Sequence, residues 1–446
     1  MKRILSTIVV VIGCVIGTVP AHAALQIQNW TLENGARVLF VENHTIPMLD
    51  VSVEFDAGAR RDPAGKAGLA AFTNGMLARG VLAAGTEPAL SEAQVSDAFA
   101  DTAAQRGGAA GSERAGASLR TLSSAAERDA ALTLLARVLA QPSFPADIIA
   151  RDKARTIAHL KEALTKPEAI ADKAFWHALY GDHPYGQQAS PESVATIERA
   201  DILEFHRSHY VADRAVIAMI GDISRAEADA IAQQLTQRLP RLPNSTEALP
   251  AMPEVPPAHA EELRIAHPAS QAHILIGAPA LQRNDPDYFT LTVANYILGG
   301  GGFVSRLTRE VREKRGLSYS IYSYFTPMAQ PGPFQIGLQT SKAQADEALK
   351  VVRGTLATFL QEGPTNAELK AAKDNLIGGF ALRIDNNRKI LDNIAAIGYY
   401  RLPLDYLDTW TAKVAQVTVA DIRAAFARKV ALDKLVTVVV GVDRQQ

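Results

Sequence analysis

Cysteine is all but missing from this chain, and the single one, Cys14, lies in the apolar first segment. Disulfides, cysteine nucleophiles and thiolate metal sites are thereby excluded from everything downstream of it. An excess of one charge sign is missing as well. Acidic and basic side chains cancel to a formal net charge of -1, which leaves no basic footprint for nucleic acid and no acidic tail. Aromatics are sparse at 6%, and beyond the start of the chain no apolar run is long enough for a membrane span. What is present is 48% apolar content over 446 residues, ample for two domains of ordinary size. Alanine and leucine abound, which favours helices packed on sheets.

The chain opens with Lys2 and Arg3, followed by an apolar run from Ile4 and by Ala21-His22-Ala23, a small-x-small cleavage site. This pattern predicts a signal peptide over residues 1–23, a mature chain from Ala24 and a soluble periplasmic protein. Val11-Ile12-Gly13-Cys14 offers a competing lipoprotein site anchored through Cys14, but the apolar run continues past it to the better Ala-x-Ala site.

An internal repeat organises the rest. Val194-Ala195 and Ala200-Asp201-Ile202 recur as Val414-Ala415 and Ala420-Asp421-Ile422. Asp213-Arg214-Ala215-Val216 recurs as Asp433-Lys434-Leu435-Val436, and Gly221 as Gly441, all without a gap. Each copy reads as a helix, a short loop and a buried strand. Arg60-Arg61-Asp62-Pro63 and Arg283-Asn284-Asp285-Pro286 likewise rhyme ahead of amphipathic helices. Six prolines between Pro240 and Pro257 mark an extended linker. The expected division is therefore 24–239, a linker over 240–260, and 261–446.

Asn34-Gly35 is a hairpin turn signal. Val51, Val53 and Phe55 alternate with Asp50, Ser52 and Glu54 as a half-buried strand, and Phe334, Ile336 and Leu338 alternate later. Capping boxes at Ser91–Gln94, Ser341–Gln344 and Thr365–Glu368 announce three helices. The predicted class is α+β, with helices on one face of each sheet.

The segment Gly68-Leu69-Ala70-Ala71-Phe72-Thr73-Asn74-Gly75-Met76-Leu77 follows the alternating strand as a helix. Its frame resembles the insulinase/pitrilysin metallopeptidases, the inverzincins, which carry His-x-x-Glu-His here. Two histidines on one helical face grip zinc, and the glutamate between them acts as general base. In this chain Ala71 and Gly75 stand at the histidine positions and Asn74 at the glutamate, and the motif occurs nowhere else. The sequence therefore predicts no metal in this chain. The resemblance puts a third ligand near His159 to Glu162. Ala71 and Gly75 form a small-residue stripe, left either by drift or by close packing of another backbone. His206 and His209, at i and i+3, and His183-Pro184-Tyr185-Gly186 offer a metal reading. The resemblance offers a structural one, with His209-Tyr210 ending a helix and the second segment a turn.

The most specific stretch is Leu298-Gly299-Gly300-Gly301-Gly302-Phe303-Val304-Ser305-Arg306-Leu307, continuing to Tyr319. No Gly-Lys-Ser/Thr follows the glycines, so they are not a phosphate loop. They serve close approach or unusual dihedrals, or form a plain flexible connection. The resemblance places Gly299, Gly300, Gly301 and Gly302 against a peptide chamber, as in the family's non-catalytic subunits. Arg312 and Tyr319 match the family's Arg-x6-Tyr pair, a guanidinium and a phenol able to hold a peptide carbonyl. Gly316 would end the helix bearing Arg312, and Tyr319 would open the next strand.

The resemblance implies two homologous domains facing one another as a clam-like chamber. It also implies a zinc-less subunit that supplies Arg312 and Tyr319 to a homologous zinc-bearing partner acting on peptides. A non-proteolytic binding or scaffolding protein of the same fold is the alternative, and a self-sufficient peptidase with other ligands is the third possibility.

Overall fold

The computed structural model describes residues 25–241 and 249–442. The expected leader, the alternative anchor at Cys14 and part of the Pro-rich segment lie outside the described residues.

Before the Pro-rich segment, β1 (Gln28–Thr31), β2 (Arg37–Glu42) and β3 (Met48–Phe55) lead to α1 (Leu69–Met76). A small ribbon, β4 (Gly80–Val81) and β5 (Leu90–Ser91), precedes α2 (Glu92–Asp101), β6 (Gln105–Gly107) and β7 (Ala115–Leu122). Five helices follow: α3 (Ala125–Ala140), α4 (Ala146–Ala163), α5 (Pro167–Tyr180), α6 (Pro191–Ala195) and α7 (Arg199–His209). This half closes with β8 (Val216–Gly221) and α8 (Arg225–Thr236). The second half runs β9 (Glu261–Ala266), β10 (Gln271–Leu281), α9 (Tyr288–Asn295), β11 (Ile321–Phe325) and β12 (Gly332–Ser341). It continues with α10 (Ala345–Glu362), α11 (Asn366–Gly378), α12 (Asn387–Tyr400), α13 (Tyr406–Gln416), α14 (Val419–Lys429) and β13 (Val436–Val442).

The two sheets share one plan. The first has the order β1-β2-β8-β3-β7-β6, and the second, read from its far edge, β9-β13-β10-β12-β11. In each, the last strand of the half enters parallel to one neighbour and antiparallel to the other: β8 between β2 and β3, β13 between β9 and β10. All remaining pairs are antiparallel. The repeat read from the sequence falls on α7 with β8 and on α14 with β13. Gly221 ends β8 and Gly441 is the penultimate residue of β13, at φ +156° and +103°, and a Cβ on either would meet the neighbouring strand's backbone at Met48 or Gln271.

Local signals became local structure. Asn34-Gly35 turns β1 into β2, with Gly35 at φ +86° and the Asn34 side chain accepting from the Ala36 N–H. Ser91 and Thr365 form full capping boxes at α2 and α11. At Ser341 the outcome differs: its hydroxyl bonds the Gln344 side chain, a 3-10 turn intervenes, and α10 begins at Ala345. The competing side-chain partner leaves the backbone N–H uncapped.

A larger correction concerns the sheet faces. Helices on one face were expected; both faces are covered. Asp50 and Ser52, on the polar side of β3, are 1% and 8% exposed. Over that side lies α12, from the other half, whose Ile390, Leu391, Ile394 and Ala395 pack with Val41, Ala218 and Ile220. Reciprocally, α5 covers the second sheet, where Ala171, Phe175, Leu179 and Tyr180 pack with Leu275, Val436, Val438 and Val440. Each half thus lends the other one helix. Burying each large apolar side chain in these shared layers stabilises by about 1.5–3 kcal/mol before entropy is counted.

Candidate functional site

Helix α1 is held at its start by Asp62, which accepts from the Gly68 and Ala70 N–H groups at 2.6 and 2.7 Å. Burial pushes this carboxyl up to about 6, against those hydrogen bonds. Ala71 and Gly75 lie exposed, one turn apart on one face. A Cβ on Gly75 would meet nothing within 4 Å, so no backbone among the described residues packs on Gly75. Asn74 points the other way. It is 8% exposed and donates through Nδ2 to the Gly116 carbonyl at 2.9 Å and the Tyr210 hydroxyl at 3.0 Å. Asn74 is therefore a pin between α1, β7 and the end of α7.

These residues do not fit zinc. Ala71 and Gly75 carry no ligand, and both of Asn74's contacts are structural. His159 and Glu162 sit exposed on α4, and Glu162 pairs with Lys166. Asp152 on the same helix is buried among Arg79, Arg151 and Arg155. His206 donates to the Leu139 carbonyl and His209 to the Phe205 carbonyl, and burial lowers both imidazoles. His183 caps the turn at Pro184–Gly186, accepting from Tyr185 N–H. Among the described residues no three His, Cys, Asp or Glu side chains are grouped to hold a metal ion.

In the second half, α9 runs into a π-helical turn over Tyr296–Gly300, then a 3-10 turn over Gly302–Val304. The glycines divide. Gly299 is buried, with room for no Cβ against the Ser323 N–H at 2.7 Å, whereas Gly300 and Gly302 are exposed. Gly302 alone of the four has positive φ, +61°. The run is thus a packed corner, not a slack connection. Arg306 anchors it, forking onto Glu368 at 2.8 and 2.7 Å and bonding the Gly363 carbonyl.

Arg312 differs. It projects from a second π-helical turn, Thr308–Glu313, a form that recurs at functional sites. Among the described residues its side chain has no ion pair or hydrogen bond. Its guanidinium carbon lies 4.7 Å from the Tyr319 ring centre and 4.8 Å from that of Phe303. Phe303 is 68% and Tyr319 83% exposed, so a free cation stands at the surface between two open aromatic faces. Gly316, at φ +61°, makes the bend that brings the pair together. Tyr319 precedes β11 in the connecting loop; it does not open the strand as expected.

Sequence reading missed Glu113. Buried at 4% exposure, its carboxylate accepts from Arg60 and Tyr185 of its own half and from Tyr400 and the Ala329 N–H of the other. No local pattern marks such a residue, because its partners lie far along the chain.

Comparison with known proteins gives the family. The family model described as peptidase M16 inactive domain matches residues 196–376. The crystal structure of a peptidase M16 inactive domain from Pseudomonas fluorescens is 38% identical, with a TM-score of 0.88, over 95% of this chain and 99% of that one. The chain belongs to the peptidase M16 family. An uncharacterized zinc protease, YmxG, from Bacillus subtilis is 25% identical over 82% of this chain and 87% of its own. A non-peptidase homolog, also called YmxG, from Helicobacter pylori is 25% identical over 86% and 87%. Within the M16 family, the segment matched by the inactive-domain model contains Gly299–Gly302, Arg312 and Tyr319 and excludes α1. Among the described residues no helix is long and apolar enough to cross a membrane.

Proposed function

We propose that this M16 chain is the zinc-less subunit of a heteromeric periplasmic metallopeptidase. Arg312 and Tyr319 bind the carbonyl of a peptide substrate, Gly300 to Gly302 border the peptide, and a homologous zinc-bearing subunit carries out hydrolysis. The observation that carries the reading is Arg312, an unpaired guanidinium held between Phe303 and Tyr319. Its neighbour in sequence, Arg306, is spent on Glu368; Arg312 has kept its donors free. A guanidinium and a phenol side by side are the donors that a developing oxyanion needs. Ala71 and Gly75 leave the metal chemistry to the partner.

The test is to mix the mature chain with its zinc-bearing homologue and follow peptide hydrolysis and zinc content. Activity in the mixture and in neither protein alone is the expected result. Tyr319→Phe should then lower turnover roughly tenfold to a hundredfold while co-elution of the two chains is unchanged. Unaltered turnover would remove Tyr319 from the reaction. A non-proteolytic peptide-binding or scaffolding role is the second reading, favoured by the exposed aromatic faces of Phe303 and Tyr319, which can also grip a side chain. Silence of the mixture, with peptide binding retained, would decide for it.

A further inference from the structure

A second unpaired arginine lies in the same half, away from the Arg312 stack. Arg283 follows β10 in the Asp-Pro motif that rhymes between the halves, and its counterpart is Arg60. Arg60 is neutralised: it meets Asp56 at 3.0 Å and Glu113 at 2.8 Å. Arg283 has no carboxylate partner among the described residues. Three tyrosine rings surround it instead, with centres 5.1 Å (Tyr288), 5.8 Å (Tyr400) and 5.8 Å (Tyr406) from the guanidinium carbon. Among the described residues its guanidinium makes one hydrogen bond, to the Tyr288 hydroxyl at 3.3 Å, and its Nε is buried without a partner.

Arg283 lines a cavity of about 460 Å³ between the starts of α9 and α13. Phe289, Tyr288 and Tyr406 supply aromatic walls, and Lys413 stands over the Phe289 ring at 5.1 Å, without an ion pair among the described residues. The Tyr406 hydroxyl, beside that of Tyr288, is buried with no hydrogen bond of normal geometry. Of the two acids in the lining, one is ion-paired among the described residues and the other caps a helix. Asp285 holds Lys429, and Asp421 caps α14 through Thr418. Among the described residues the lining therefore carries two cations without ion pairs, Arg283 and Lys413, against one carboxylate, Asp421, that keeps its charge. The cavity's size is that of a small-molecule site. A partly buried guanidinium left without an anion is costly, and a carboxylate is the group whose geometry its planar fork matches.

We infer that this cavity is a binding site for an organic carboxylate with an aromatic or bulky apolar body, Arg283 and Lys413 taking the carboxylate and the aromatic walls its side chain. The C-terminal residue of a peptide and a free aromatic acid share this chemistry. The site is independent of the Arg312 stack and does not require a zinc-bearing partner.

Calorimetric titration of the purified chain with N-acetyl-phenylalanine and with its C-terminal amide tests the inference. The acid should bind at least tenfold more tightly than the amide, and Arg283→Gln should erase that preference while Lys413→Met weakens it. Trp410, packed against Phe289, gives an independent fluorescence readout. Equal binding of acid and amide would overturn the proposal, as would no binding of either to a chain with an intact thermal transition. Should Arg283→Gln fail to fold, the acid-against-amide comparison on the unaltered chain still decides. Tighter binding of a longer peptide ending in phenylalanine would identify a peptide terminus as the ligand, and no gain on lengthening a free acid.

Discussion

At the scale of single residues, position on a helix face decides what a lost functional group becomes. Asn74, which the family resemblance sets at the glutamate position, has its amide turned inward to Gly116 and Tyr210. Asn74→Ala leaves a buried phenol and a buried carbonyl unpaired, and urea titration should show a loss of about 1–3 kcal/mol. A smaller loss would mean that water replaces the amide. Glu368 gives a prediction with a pH axis. The fork of Arg306 lowers its carboxyl from 4.5 to about 2 in the folded chain. A depressed folded-state value means stability that is complete above the unfolded value and lost as pH falls through the folded one. Glu368→Gln should therefore lower the melting temperature at pH 7, and the gap to the unaltered chain should close between pH 4.5 and pH 2. A gap constant with pH would show that the Arg306 pair contributes through packing alone.

At the scale of elements, the exchanged helices carry the interior. Phe175 of α5 is fully buried against the second sheet, beside Gly277 of β10. Phe175→Ala should cost about 3–5 kcal/mol, with the denaturant slope retained. The same helices mark the limit of what the sequence discloses. The Asn34-Gly35 turn, the β3 alternation and the Ser91 and Thr365 caps depend on neighbours within a few residues, so they can be read directly. The repeat discloses that α7–β8 and α14–β13 are copies. Alternation along β3 says which side chains share a face, but not that α12, far along the chain, will cover the polar one. Arg312 and Tyr319 were legible as a pair through the family likeness. Their ring-face contact, with Phe303 completing the stack, was not, because it depends on a π-helical turn that has no sequence signature of its own.

At the scale of the whole molecule, the halves are not separable. Glu113 ties them at one seam, and α5 and α12 tie them across both sheets. A fragment ending at residue 239 lacks α12 and should expose Val41, Ala218 and Ile220. It should bind the dye ANS strongly and lose near-ultraviolet dichroism while keeping helix content. A fragment that unfolds cooperatively and excludes the dye would show that the first half is complete without its borrowed helix.

That borrowed helix also sets a clock. The first sheet is whole in sequence once β8 has been made, but α12 is encoded most of a half later. At roughly 5–20 residues per second of synthesis, one face of the sheet waits on the order of ten seconds or more for its cover. During that interval the nascent chain shows apolar strand surface to whatever binds such surfaces. Folding of the two halves then ends together, late, when the last helices and β13 arrive.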